Sequence, residues 1–94
     1  MMKTKVIIKA YFPSLDLSCD IKVPINEVIW KIKKLVVKAV YDMNGINFDM
    51  SSKILMMNKV TSQIYNDIDI LIDTDIRNGS EVVFITINDD AFAA

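Results

Sequence analysis

The chain has 94 residues, 52% of them hydrophobic and 24% charged, with a formal net charge of -1. That is enough for one domain with one apolar core, and the near-neutral charge excludes the positive field on which nucleic-acid binders depend. With no histidine and a single cysteine, Cys19, there is no intramolecular disulfide, no histidine-based hydrolytic triad and no zinc or iron–sulfur ligand set, so no catalytic site, metal or cofactor is expected.

The first segment, Lys5 to Phe12, is rich in β-branched and aromatic residues. It alternates Val6, Ile8, Ala10 and Phe12 against Lys5, Ile7, Lys9 and Tyr11, the pattern of a strand. Its apolar run is short and broken by Lys9, so it is not a signal peptide. Pro13-Ser14 marks a turn. From Leu15 to Val23 the alternation is regular: Leu15, Leu17, Cys19, Ile21 and Val23 share one face, and Asp16, Ser18, Asp20 and Lys22 the other. The two segments therefore form an antiparallel hairpin with one buried face, and Cys19 reads as a small buried hydrophobe.

Pro24 ends the second strand. Asn26 is expected to cap a helix running to about Tyr41, with Glu27 in its first turn. Val28, Ile29, Ile32, Leu35, Val36, Ala39 and Val40 make its core stripe, and Asn44-Gly45 stops it. Lys53 to Met57 reads as a third strand and Asn58-Lys59 as a turn. Val60 to Asp69 is irregular, with room for one very short strand. Leu71 to Ile76 reads as a tight loop, Asn78-Gly79 as a turn and Glu81 to Ile87 as a last strand. Residues 88–94 read as a flexible tail after a single domain spanning 1–87.

Hairpin, long helix, strand, irregular piece, strand is the order of an α+β β-grasp domain, a mixed sheet of four or five strands packed on one long helix. The last strand should then lie parallel to the first at the sheet centre.

Leu71 to Ile87, LIDTDIRNGSEVVFITI, resembles ubiquitin in its spacing of Leu71, Asp73, Ile76 and the turn at Asn78-Gly79. Leu71 and Ile76 can plug the core beneath a compact loop while Asp73 caps backbone donors. The resemblance covers about Lys5 to Ile87. Among ubiquitin-like groups the chain is most similar to the YukD/EsaB proteins encoded with bacterial type VII (WXG100) secretion systems. It resembles them in length, in its extended first strand and in how soon it stops after the last. This resemblance implies a cytoplasmic accessory or regulatory protein. Conjugation and sulfur transfer need a terminal Gly-Gly, and the sequence ends Ala91-Phe92-Ala93-Ala94, so neither is expected.

Two surfaces are candidates for binding a protein partner. If Ile54, Met56, Val82 and Phe84 face the helix, then Leu55, Met57, Val83 and Ile85 face away. The ubiquitin resemblance places Leu55 and Ile85 in its main recognition patch. The alternative is that the irregular segment or the tail covers these residues, or that they are ordinary exposed apolar groups. On the helix, Trp30, Val37 and Tyr41 fall opposite the core stripe among Lys33, Lys34 and Lys38. They offer an anchor for a partner or for a homo-oligomer, unless the helix is rotated or Trp30 lies flat beneath lysine stems. Asp67, Asp69, Asp73 and Asp75 lack the glycine and closing glutamate of a calcium loop. No apolar run approaches the roughly 18 residues of a membrane span.

Overall fold

The computed structural model describes residues 4–45 and 53–87. Four strands and one helix follow in order: β1 (Lys5–Phe12), β2 (Leu17–Pro24), α1 (Ile29–Asn44), β3 (Lys53–Asn58) and β4 (Glu81–Ile87). The sheet runs β2-β1-β4-β3, with β1 and β4 parallel at its centre and antiparallel pairs on either side. This is the mixed sheet of a ubiquitin-like β-grasp. The expected tail, residues 88–94, lies outside the described residues.

The hairpin begins as its alternation requires. Val6, Ile8, Ala10 and Phe12 are buried, as are Ile21 and Val23 opposite them. One 3₁₀ turn, Pro13–Leu15, takes up Leu15, which the sequence had assigned to the strand, and Asp16 follows in a left-handed conformation with φ 48. β4 is delivered to β1 by the turn before it. Asn78 Oδ1 accepts the Ile7 N–H at 2.8 Å, Gly79 N–H donates to Ile7 O at 2.7 Å, and Lys9 N–H donates to Ser80 O at 2.9 Å. Gly79 makes this turn at φ 87, where a side chain would be strained. Phe12 and Phe84 then stack across the β1–β4 pair with ring centroids 5.4 Å apart.

The helix starts later than Asn26 predicts, and its cap is tertiary. Residues 25–28 are held against 70–72: Leu71 N–H donates to Glu27 O and Ile72 N–H to Ile25 O. Val28 occupies the cap position with no side-chain cap bond. The first free helical donors find backbone carbonyls instead, Ile29 N–H on Asp69 O at 2.8 Å and Trp30 N–H on Asp67 O at 3.1 Å. These bonds meet the need that a capping side chain usually meets. Gly45, at φ 70, ends the helix by donating to Tyr41 O.

Leu71 and Ile76 are both fully buried beneath their loop. The loop's side-chain cap is Thr74 and not the expected Asp73: Thr74 Oγ1 donates to Leu71 O at 2.6 Å and accepts the Ile76 N–H at 3.1 Å. A threonine hydroxyl both donates and accepts, so it serves two backbone groups where a carboxylate could only accept.

Candidate functional site

The solvent side of the sheet carries a graded surface. Pairing sets Tyr11, Val83 and Met57 side by side across β1, β4 and β3, with Ile85 beside Leu55 in the next row along β4 and β3. Successive side chains alternate faces, so these residues lie opposite Met56, Val82 and Phe84, which are buried under the helix. Leu55, Met57 and Ile85 are half-buried, and their remaining surface faces solvent.

Val83 departs from the expectation. It is only 8% exposed, although it belongs to this outer face and not to the core beneath the helix. Its cross-strand neighbours Tyr11 and Met57 close over it from both sides, so it forms the floor of the patch and not part of its contact surface.

The patch has a polar border. Lys59 Nζ sits 4.8 Å from the centre of the Tyr11 ring and 4.0 Å from Glu81 Oε2, and Tyr11 Oη donates to Glu81 Oε1 at 3.4 Å. Sequence reasoning placed Tyr11 on the outward side of β1 but did not join it to the patch, because the β1–β4 register that brings it beside Val83 is tertiary. Ile64 was also missed. It is exposed and bridges Met57 from an irregular segment with no strand periodicity.

The helix candidate divides. Val37 is 9% exposed and belongs to the core, which corrects its assignment to the outer face. Leu35, expected in the core, is 43% exposed. The helix is rotated by roughly 50° from the orientation its stripe suggests, counting 100° per residue. Trp30 and Tyr41 do face outward, 42% and 52% exposed. They lie eleven positions apart on the same side of the helix, or roughly 16 Å. Trp30 is also engaged locally, with Lys31 and Lys34 ammonium groups 5.4 and 5.1 Å from its ring centre.

Burial perturbs two titratable groups, Tyr65 and Cys19. Tyr65 is buried and its hydroxyl donates to Asp75 Oδ1 at 2.7 Å. Burial, then this bond, pushes its pKa up to about 12. Burial pushes the Cys19 thiol up as well, and the Asp20 charge adds to the effect. Of the four aspartates weighed for calcium, Asp67 pairs with Lys33 and Asp75 serves Tyr65 and Asn58. Among the described residues no three His, Cys, Asp or Glu side chains group to hold a metal ion, and no helix is long and apolar enough to cross a membrane.

No family model matches the chain, and no curated protein matches it in sequence. Solved structures match its fold. A chain of the toluene 4-monooxygenase HD complex with the inhibitor 4-bromobenzoate superposes with a TM-score of 0.71 at 7% identity, covering 88% of this chain and 99% of that one. The EccD5 ubiquitin-like domain from Mycobacterium xenopi gives a TM-score of 0.67 at 9% identity, over 93% of this chain and 99% of that one. A chain of the MycP5-free ESX-5 inner membrane complex gives 0.67 at 11% identity, over 93% of this chain and 22% of that longer one. Identities this low establish a shared fold and nothing further.

Proposed function

We propose that the chain is a ubiquitin-like protein that binds other proteins without being conjugated to them and without catalysing a reaction. On this reading it acts in the cytoplasm as an adaptor or regulator linked to bacterial type VII secretion. The observation that carries the binding role is the apolar surface of Leu55, Met57 and Ile85 on the open side of the sheet. Val83 floors it, and Tyr11, Lys59 and Glu81 border it. An apolar centre within a polar rim is the arrangement protein interfaces use, and methionine adapts to varied contact shapes. The resemblance to YukD/EsaB proteins supports the secretion link, as does the fold shared with the EccD5 domain and the ESX-5 complex.

The test is capture from a host that runs a type VII system. Leu55→Asp and Ile85→Asp place charge in the patch while leaving the fully buried core untouched. Both variants are expected to fold and to lose the partner that the parent protein retains. Equal recovery by parent and variants would refute the binding face. A genomic neighbourhood without a secretion ATPase or WXG-type substrates would count against the secretion link alone.

A further inference from the structure

The two edges of the sheet are finished differently. At β3 the chain covers the Met56–Asn58 end of its own edge: Tyr65 N–H donates to Met56 O at 2.9 Å, Asn58 N–H donates to Gln63 O at 2.8 Å, and Ile64 bridges Met57. At the other edge, β2 pairs with β1, and among the described residues no segment pairs with its outer side. An open edge presents unpaired N–H and C=O groups, a template for another strand.

The ladder shows which groups are free. Ile25 N–H donates to Thr4 O at 2.8 Å. In the β1–β2 register, Val23, Ile21 and Cys19 therefore also turn their backbone polar groups toward β1, while Ser18, Asp20, Lys22 and Pro24 turn theirs outward. Pro24 has no N–H to present. The side chains of Ser18, Asp20 and Lys22 are exposed on the outer face. Among the described residues neither Asp20 nor Lys22 has an ion-pair partner within the chain.

We infer that β2 of a second copy of this chain pairs antiparallel with this β2, about a two-fold axis at Ile21. In that register Asp20 lies opposite the partner's Lys22, and Lys22 opposite the partner's Asp20. Cys19 meets the partner's Val23 and Leu17 meets the partner's Ile25, so the helix-facing side stays apolar across the seam. Asp20 and Lys22 exchange N–H···O bonds in both halves, and Ser18 N–H reaches the partner's Pro24 carbonyl. Pro24, having no N–H, ends the ladder.

Other registers fail on the same residues. An axis at Asp20 or at Lys22 sets like charges opposite one another. An axis at Cys19 brings in Asp16, whose φ of 48 takes it out of the strand. An axis at Val23 runs off the strand at Pro24.

The pairing joins two four-stranded sheets into one and puts both helices on one face. It also accounts for the exposure of Leu35. The segment around Asp67 and Asp69 is fastened to the Trp30 and Lys33 flank of α1. Leu35 and the half-buried Ala39 lie on the opposite flank, toward β2, where the single chain has no further strand to cover them.

Sedimentation equilibrium on the full chain tests this. The parent protein is expected to dimerise reversibly. Asp20→Lys and Lys22→Asp should each weaken the dimer by roughly tenfold or more, because each sets like charges opposite one another twice per dimer. The double variant should restore it, with the pairs regenerated in reversed sign. Circular dichroism should be unchanged throughout, since both side chains are exposed. In hydrogen exchange the Asp20 and Lys22 amides should gain protection as concentration rises, while those of Cys19 and Ile21, already bonded to β1, should not. A monomer up to millimolar concentration would overturn the inference, as would a dimer that survives either single reversal or a double variant no tighter than the singles. A dimer lost on Leu55→Asp but not on Asp20→Lys would place association on the outer face and overturn it equally.

Discussion

Truncating Leu71 to alanine tests whether the loop after the irregular segment plugs the core as its burial indicates. Leu71 is fully buried, while its neighbour Ile72 is 43% exposed. Leu→Ala removes three carbon groups at about 0.8 kcal/mol each, or about 2.4 kcal/mol of transfer free energy. The unfilled volume adds to this and brings the loss to about 3 kcal/mol, inside the usual range for buried leucines. A chain of this size is stable by about 5–14 kcal/mol, so the variant gives up a large share and its melting temperature should fall by roughly 12–24 °C. Ile72→Ala should change stability by less than about 1 kcal/mol, since Ile72 holds its place mainly through the backbone bond to Ile25 O. The assay is urea unfolding of parent and both variants, read as midpoint and slope. Similar losses for the two variants, or a Leu71→Ala loss below about 1 kcal/mol, would show that the loop is not seated in this register.

The rotation of α1 makes Val37 and Leu35 a matched pair. Val37→Asp should unfold the chain or cost several kcal/mol by burying a charge, whereas Leu35→Glu should leave the monomer's thermal midpoint nearly unchanged. The opposite ranking would return the helix to the orientation its sequence stripe suggests. Tyr65 predicts an alkaline transition. Its folded pKa of about 12 lies above the ordinary value of 10, so its contribution to stability is whole below pH 10. It is lost between pH 10 and 12, as the unfolded chain releases its phenolic proton first. Tyr65→Phe should flatten that part of the stability curve relative to the parent, and equal slopes for the two proteins would contradict the assignment.

Much of the fold was legible because it rests on local periodicities. β1 and β4 begin and end where alternation and the turns at Pro13 and Asn78-Gly79 place them. Leu71 and Ile76, picked out by spacing, are both core residues. The outward face of β3 and β4 followed from counting by twos, which is why Leu55, Met57 and Ile85 lie where the sequence put them. The errors share one cause. Asn26 reads as a cap only if the helix must cap itself, and here the carbonyls of Asp67 and Asp69 do that work from forty residues away. A stripe wide enough to hold both Leu35 and Val36 does not say which side of it will find a neighbour.

What the sequence determined by itself was therefore the kind of each element and which face of each strand is apolar, since both follow from the chain's own geometry over a few residues. The tertiary structure decided the rest: the rotation of α1, the burial of Val83 between Tyr11 and Met57, the addition of Tyr11 and Ile64 to the outer patch, and the contrast between a partly covered β3 edge and an open β2 edge. Each of these depends on what lies across a gap between segments distant in sequence. No local pattern records that, because burial belongs to pairs of surfaces and not to single segments.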